Sequence, residues 1–356
     1  MLKNSYIILI PSLSRGGAES MAYQYGEYLE SEGHQVKFLL IEDRVDEKYS
    51  NVDIVKCISA SLSKSIFRLM KLDFPKDTIF ISLIPIYTFC FILSRILRLE
   101  FKTKLIYTVH NNVTKDFGAS KLGKLLQYFY LKLLRSSRNV YSVSEALNKK
   151  ISQLGVSSKL LPNKINQTFM PVKREKQEKL TILMIGRIDY QKDYSMALEF
   201  FKGLNNLNIE FVVDIYGEGP EINAVQSLLN EFNLAECVTL RGYNGNITKV
   251  LEDSKYDILL LTSRYEGFGL VIVEAISKCI FPIVRDCDYG PKEIIESGVG
   301  FLLPFHFSER DIKNAIDSFD VWGSDSQENK LNKCKSVHIK YTEGSIEQWK
   351  NLTQLQ

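Results

Sequence analysis

The chain has 356 residues, 45% hydrophobic and 24% charged, the make-up of an ordinary globular protein and long enough for two domains with separate cores. Its six cysteines (Cys57, Cys90, Cys237, Cys279, Cys287, Cys334) form no CxxC pair, which argues against a disulfide framework or a zinc site and for a reducing cytosol. The net charge of +3 hides an asymmetry: residues 1–170 hold 24 Lys and Arg against 14 Asp and Glu, residues 171–356 hold 21 against 28, so the first half is expected to meet something anionic.

Taken in chain order, short β-rich apolar runs alternate with helical patterns. The N-terminal run YIILI leads straight into Ser14-Arg15-Gly16-Gly17 and is too short for a signal-peptide core, so none is expected. A helical pattern follows over 18–31, then the strand VKFLL. His34, after Gly33 at the helix end, reads as structural. The uncharged run 79–94 raises the question of a membrane span; Pro85 and Arg95 interrupt it, and it reads instead as a buried strand over about 78–83 and an amphipathic helix over about 87–98. LIYTV ends at His110-Asn111-Asn112, and VYSV ends at Ser144-Glu145. Between them, residues 120–138 place Leu122, Leu126, Phe129 and Leu133 on one helical stripe, with Lys121, Lys124, Lys132 and Arg135 mostly elsewhere. A core helix explains the stripe but not the excess of base; a helix resting on an anionic membrane explains both, and no nucleic-acid motif accompanies it.

A polar stretch with two prolines, 162–179, separates the basic half from the acidic half and is taken as the linker between two Rossmann-like domains, 1–165 and 166–340. The second half repeats the alternation: TILMI, FVVDIY, DILLL and FPIV, with a helical pattern over 221–234. Such βαβ alternation implies mostly parallel α/β sheets. Ligands of open parallel sheets bind at the C-terminal strand ends, where loop after loop here carries unusual chemistry. Gly186-Arg187 with Lys192 follows TILMI and could stabilise a diphosphate without a metal; two ordinary surface bases are the plain alternative. Gly217-Glu218-Gly219-Pro220 follows FVVDIY and reads first as a structural turn, since no third glycine completes a dinucleotide fingerprint. Asp286-Cys287-Asp288 resembles a DxD metal site, but no His or further acid completes a shell, and no metal is expected.

The most informative stretch is 263-SRYEGFGLVIVEA-275, read as the end of a strand, a loop to Gly269, and a helix from about Leu270. Its glycines let the backbone approach a ligand, and the free amides of the first helical turn suit a phosphate. Glu266 is expected at the loop tip and Glu274 a turn inside the helix. Carboxylates repel phosphate but accept hydrogen bonds from hydroxyls, so the pair points to a phosphate flanked by sugars. The plain alternative makes Glu266 a solvated loop residue and Glu274 a helix-surface acid.

These pieces, in this order, resemble the retaining GT-B glycosyltransferases of family 4, the "glycosyl transferases group 1" set. GGAE at 16–19, VHNN at 109–112, SVSEAL at 142–147, LPNKIN at 161–166, GRIDYQKD at 186–193, YGEGPE at 216–221, the E-x7-E of Glu266 and Glu274, and YGPKEII at 289–295 carry the resemblance. The ending at 341–352 is similar to the terminal helix that crosses back to the N-terminal domain, so residues 341–356 are set apart as that element. The resemblance implies two Rossmann-like domains facing across a cleft. It implies that Arg187 and Lys192 grip a donor diphosphate beside Gly186 and Gly217. Glu274 would bind the ribose, and Glu266 with the amides of Gly267, Phe268, Gly269 and Leu270 the donor sugar and phosphate. Gly16 and Gly17 would approach the phosphate and acceptor, and His110 would border the reacting sugar. Two departures stand out: Lys164 occupies a place where the family often has glycine, and Asp193 one where it often has glycine or asparagine.

The implied activity is transfer of a hexose or N-acetylhexosamine from a nucleotide-sugar donor, expected to be a UDP-sugar, to a glycan or lipid-linked acceptor of bacterial surface polysaccharide. No nucleophile–acid pair for double displacement is identifiable, and neither a metal nor another cofactor is expected. The expected location is cytoplasmic, peripheral on the inner face of the membrane. The alternative is a non-catalytic nucleotide-sugar-binding scaffold; a nicotinamide-dependent oxidoreductase lacks its fingerprint.

Overall fold

The computed structural model describes residues 4–14, 16–57, 61–100, 103–111, 113, 117, 120–165, 168–172, 178–253 and 255–353. Arg15, Asn112 and parts of the expected linker, 166–167 and 173–177, lie outside them. The chain divides into two compact units: Met1–Lys164 with Ser345–Gln356, and Ile165–Gly344.

The first unit is built on seven strands: β1 (Ser5–Ile10), β2 (Gln35–Leu40), β3 (Ile54–Lys56), β4 (Ile79–Ser82), β5 (Lys104–Val109), β6 (Val140–Ser142) and β7 (Lys159–Leu160). They lie parallel in the order β3-β2-β1-β4-β5-β6-β7. The second unit has six: β8 (Leu180–Ile185), β9 (Phe211–Tyr216), β10 (Val238–Gly242), β11 (Ile258–Leu261), β12 (Phe281–Arg285) and β13 (Phe301–Leu303). Their order is β10-β9-β8-β11-β12-β13, again parallel. Each sheet starts in the middle and grows first one way, then the other. The strand order therefore reverses between β1 and β4 and between β8 and β11, the places where parallel sheets open a crevice for ligands.

The central strands are continuous apolar runs because both faces are covered; all four residues of β11 are buried. In the second unit Ile182, Met184, Ile215 and Leu260 pack against Phe200, Phe201, Val225 and Leu229 of the flanking helices. The run 79–94 forms β4 and the helix Pro85–Leu97, whose proline sits in the first turn where no amide partner is lost. Among the described residues no helix is long and apolar enough to cross a membrane. His34 is structural, accepting the Asn4 amide at 3.3 Å and meeting the Tyr6 ring edge-on.

The C-terminal stretch differs from expectation. No continuous helix covers the described part of 341–356; the helix Gln327–Lys340 ends first, and a turn leads to the short helix Ile346–Trp349 and a 3-10 turn Lys350–Leu352. Gly344 breaks the pattern, and a side chain there would meet the Lys340 carbonyl oxygen at 2.7 Å. Trp349 then buries itself in the first unit, against the rings of Tyr25 and Tyr28, with Nε1 donating to the Pro162 carbonyl at 2.8 Å.

Candidate functional site

The loops after β8 and β11, at the strand-order reversal of the second sheet, carry most of the second unit's candidate residues. After β8 the chain turns through Gly186 and Arg187 to Lys192. Asp189 shapes this loop, its Oδ1 accepting the amides of Gln191 and Lys192 at 3.1 and 3.2 Å. Arg187 projects outward, its side chain 73% exposed and only loosely opposite Asp189 at 3.6 Å. Lys192 turns inward. Its Nζ lies 2.5 Å from Glu266 Oε1, and Ser263 Oγ donates to that same oxygen at 2.7 Å.

Glu266 thus does not stand at a solvated loop tip. It is only 7% exposed, held beneath the loop by Lys192 and Ser263. A buried carboxylate requires such partners. The sequence separates the two residues by more than seventy positions, but their strands are neighbours in the sheet, so the loops after them meet. Both donors converge on Oε1; among the described residues no hydrogen-bond donor reaches Oε2.

The loop then runs into the helix Leu270–Ser277, as expected from the sequence. Gly269 precedes it in the left-handed conformation, with no side chain capping the first turn. The Ile272 amide donates to the Gly269 carbonyl at 2.9 Å, and the amides ahead of it have no side-chain cap. Glu274 is half-buried one turn inside. Phe268 points away into the core, its ring edge-on to Tyr341 at 5.2 Å. The next loop presses against this one: a side chain at Gly290 would meet Phe268 Cα at 2.3 Å. Cys287 lies buried there, and desolvation followed by the Glu266 charge pushes its thiol up to about 12, so it stays protonated.

Gly217 is used differently. A Cβ there would lie 1.9 Å from the Gly186 carbonyl oxygen, and its amide donates to Gly242 at 2.9 Å. The turn is the means by which the loops after β8 and β9 pack backbone to backbone. Among the described residues no three His, Cys, Asp or Glu side chains come together as a metal site.

In the first unit, His110 directly follows β5, half-buried. Thr108 Oγ1 donates to the Ser82 carbonyl at 3.0 Å, so it accepts from His110 Nε2 at 3.0 Å, leaving Nδ1 as an acceptor. Burial lowers this imidazole to about 4, so at neutral pH it is uncharged. Ser144 is taken by structure, its hydroxyl accepting the Leu147 amide at the start of the helix Glu145–Gln153. Gly16 precedes the helix Gly17–Ser31, where a Cβ would meet the Glu19 carboxylate at 2.3 Å.

Residues 166–321 match the family described as Glycosyl transferases group 1, and residues 15–168 match Glycosyltransferase Family 4. The amylovoran biosynthesis glycosyltransferase AmsD of Erwinia amylovora is 25% identical over 317 residues, 85% of this chain and 86% of that protein. The lipopolysaccharide 1,6-galactosyltransferase of Salmonella typhimurium is 25% identical over 56% of this chain, which spans 53% of that protein. Among solved structures, S. aureus TarM in complex with Fondaparinux, alpha-GlcNAc-glycerol and UDP superposes with a TM-score of 0.79 at 15% identity, covering 99% of this chain and 100% of that one. That likeness shows a shared fold over the whole length. With a glycosyltransferase family matched across each half and the same two-sheet architecture throughout, the protein belongs to the GT-B glycosyltransferases of the family 4 type.

Proposed function

We propose that this protein transfers a sugar from a nucleotide diphosphate sugar, a UDP-sugar, to a glycan or lipid-linked acceptor in bacterial surface polysaccharide synthesis, with retention at the anomeric carbon. The observation that carries the reading is the Lys192–Glu266 pair beside an uncapped helix start, at the strand-order reversal of the second sheet. The amylovoran and lipopolysaccharide relatives support the acceptor class, and the UDP in the TarM complex supports the nucleotide.

In this reading the amides from Gly267 to Leu270 and the cations Arg187 and Lys192 take the diphosphate, with no metal needed. Glu266 Oε2 accepts a sugar hydroxyl, Glu274 a ribose hydroxyl, and neutral His110 a hydroxyl through Nδ1. The acceptor oxygen bonds to the anomeric carbon on the face from which phosphate departs. The carbon–phosphate-oxygen bond breaks, the acceptor proton passes to the departing phosphate oxygen, and the nucleoside diphosphate leaves. Donors aimed at the charge that develops on phosphate lower the barrier.

The proposal extends to an anionic membrane surface met by the helix Lys121–Ser136. Its core face is Gly123, Tyr130, Leu131 and Leu134. Its outer face exposes Leu122, Leu125, Tyr128 and Phe129 beside Lys121, Lys124, Lys132 and Arg135. No acid occurs between Asp116 and Glu145, which suits an anionic surface.

Hydrolysis and transfer assays over a panel of nucleotide sugars test the reading. One donor, a UDP-sugar, is expected to be consumed, with the product keeping the donor's anomeric configuration by NMR. An inverted product removes the retaining mechanism. Donor binding without turnover favours a scaffold instead, and absence of binding removes the donor assignment.

A further inference from the structure

Asp193 stands where the helix Tyr194–Asn206 begins, in the left-handed conformation (φ 51°, ψ 56°), yet its side chain makes no cap bond to that helix. Its carboxylate is turned inward and the residue is 2% exposed. Oδ1 accepts from Arg264 Nη2 and Ser195 Oγ, both at 2.8 Å, and Oδ2 accepts from Arg285 Nη1 at 2.6 Å. Arg285 is as deeply buried; its Nε donates to the Phe305 carbonyl at 2.7 Å, its Nη1 also to the Thr262 carbonyl at 3.1 Å, and its guanidinium lies 3.8 Å from the centre of the Phe305 ring. Thr262 Oγ1 in turn lies 3.2 and 3.1 Å from the carbonyl oxygens of Lys192 and Asp193. One buried carboxylate therefore ties the loops that follow β8 and β11 to the end of β12 and, through Arg285, to the loop after β13.

The backbone alone would be served by glycine or asparagine, the residues expected here from the resemblance, since a left-handed conformation disfavours most side chains. Neither carries a charge for two guanidinium groups, and a buried guanidinium without a counter-charge is strongly unfavourable. The aspartate is thus explained by its charge and not by its backbone.

The loops it joins are those of the candidate site. Asp193 follows Lys192 directly, and Arg264 is two residues before Glu266. Arg285 is two residues before Cys287, whose thiol lies in the field of both Glu266 and Lys192. We propose that Asp193 is a positioning residue: through Arg264 and Arg285 it holds Lys192 Nζ against Glu266 Oε1 and so fixes the geometry of the donor grip. The inference rests on the reading of Lys192 and Glu266 as donor contacts.

Three variants test it: Asp193→Asn, Asp193→Gly, and Asp193→Asn with Arg285→Met, which restores the original surplus of one positive charge. Two quantities are read alongside the melting temperature: the acylation rate of Lys192 by acetic anhydride in the ligand-free protein, followed by mass spectrometry, and donor kcat and KM. Lys192 acylation is expected to rise in all three variants, and kcat/KM to fall about tenfold or more, as displaced catalytic groups do. In the double variant both effects are expected to persist while the melting temperature recovers, which keeps the test open if a single variant unfolds. Unchanged Lys192 acylation overturns the proposal. So does a double variant in which acylation and kcat/KM return to normal together with stability, the mark of a purely structural role. If the wild-type protein turns over no donor, the proposed function falls, and Lys192 acylation still decides the positioning role.

Discussion

At Glu266 one oxygen takes two donors and, among the described residues, no donor reaches the other, so the residue is both a structural anchor and a candidate contact. Replacing Lys192 by Ala removes the cation and strands a buried carboxylate. The expected result is a stability loss of about 3 kcal/mol, as for other broken buried pairs, and donor turnover reduced by about 10²-fold or more, checked by denaturant unfolding and by kinetics. Unchanged turnover with lowered stability would confine Lys192 to the fold. Gly217→Ala drives a methyl into the Gly186 carbonyl, so the loop carrying Arg187 must move; stability is expected to fall by about 1–3 kcal/mol, the range for overpacking, and KM for donor to rise. His110 gives a pH signature. Its imidazole titrates near 4 when folded and near 6.5 when unfolded, so below about 6.5 the unfolded chain binds a proton that the folded one refuses. Its contribution to stability is intact above about 6.5 and is lost as pH falls toward 4; His110→Asn should flatten that part of the stability curve. The sequence marked Lys192, Glu266 and His110 as unusual, because charge and imidazole at strand ends are conspicuous. It did not join Lys192 to Glu266, nor Asp193 to Arg285, because both links span more than seventy positions and depend on which strands are neighbours.

Among elements, the helix Lys121–Ser136 has two faces that differ in kind. The buried one is explained by packing on the first unit, where Tyr130 meets the ring of Phe89 from the helix Pro85–Leu97. The outer one carries apolar side chains and bases side by side, and the neighbouring helix adds exposed Leu93, Ile96 and Leu97. Vesicles containing phosphatidylglycerol should bind the protein more strongly than purely zwitterionic ones, with binding weakened by salt. Neutralising Lys121, Lys124, Lys132 and Arg135 together should reduce that binding by up to about a thousandfold, at roughly 1 kcal/mol per charge. Equal binding to both vesicle types counts against a membrane role. The nine strands legible as apolar runs are all present, because central strands buried on both faces must be apolar throughout. The four not foreseen, β3, β7, β10 and β13, lie at or near sheet edges, where short length and a solvated side erase the signal; β7 is only two residues long.

For the molecule as a whole, the division into a basic and an acidic half follows the division into two units, and the switch of charge was visible before any fold was. The first unit is assembled from two stretches of chain, an arrangement the sequence offered only through the resemblance of its ending. Trp349, 1% exposed, closes it, with Tyr6 and Tyr141 hydroxyls donating to the carbonyls of Leu352 and Asn351, each at 3.2 Å. Trp349→Ala is expected to cost the first unit about 3–5 kcal/mol. In calorimetry the transition of that unit should move down while that of the second stays in place; two transitions moving equally would mean that the units unfold as one.

This arrangement also sets an order of assembly. On the ribosome the whole second unit, Ile165–Gly344, is spelled out before the segment that covers Tyr25 and Tyr28 exists. The second unit can fold as soon as it emerges, since all its strands are contiguous in the message. The first, although made earlier, must wait with an open aromatic seam until Trp349 arrives. The half synthesised first is therefore the half completed last, and it is the one that a nascent-chain chaperone would have to shelter.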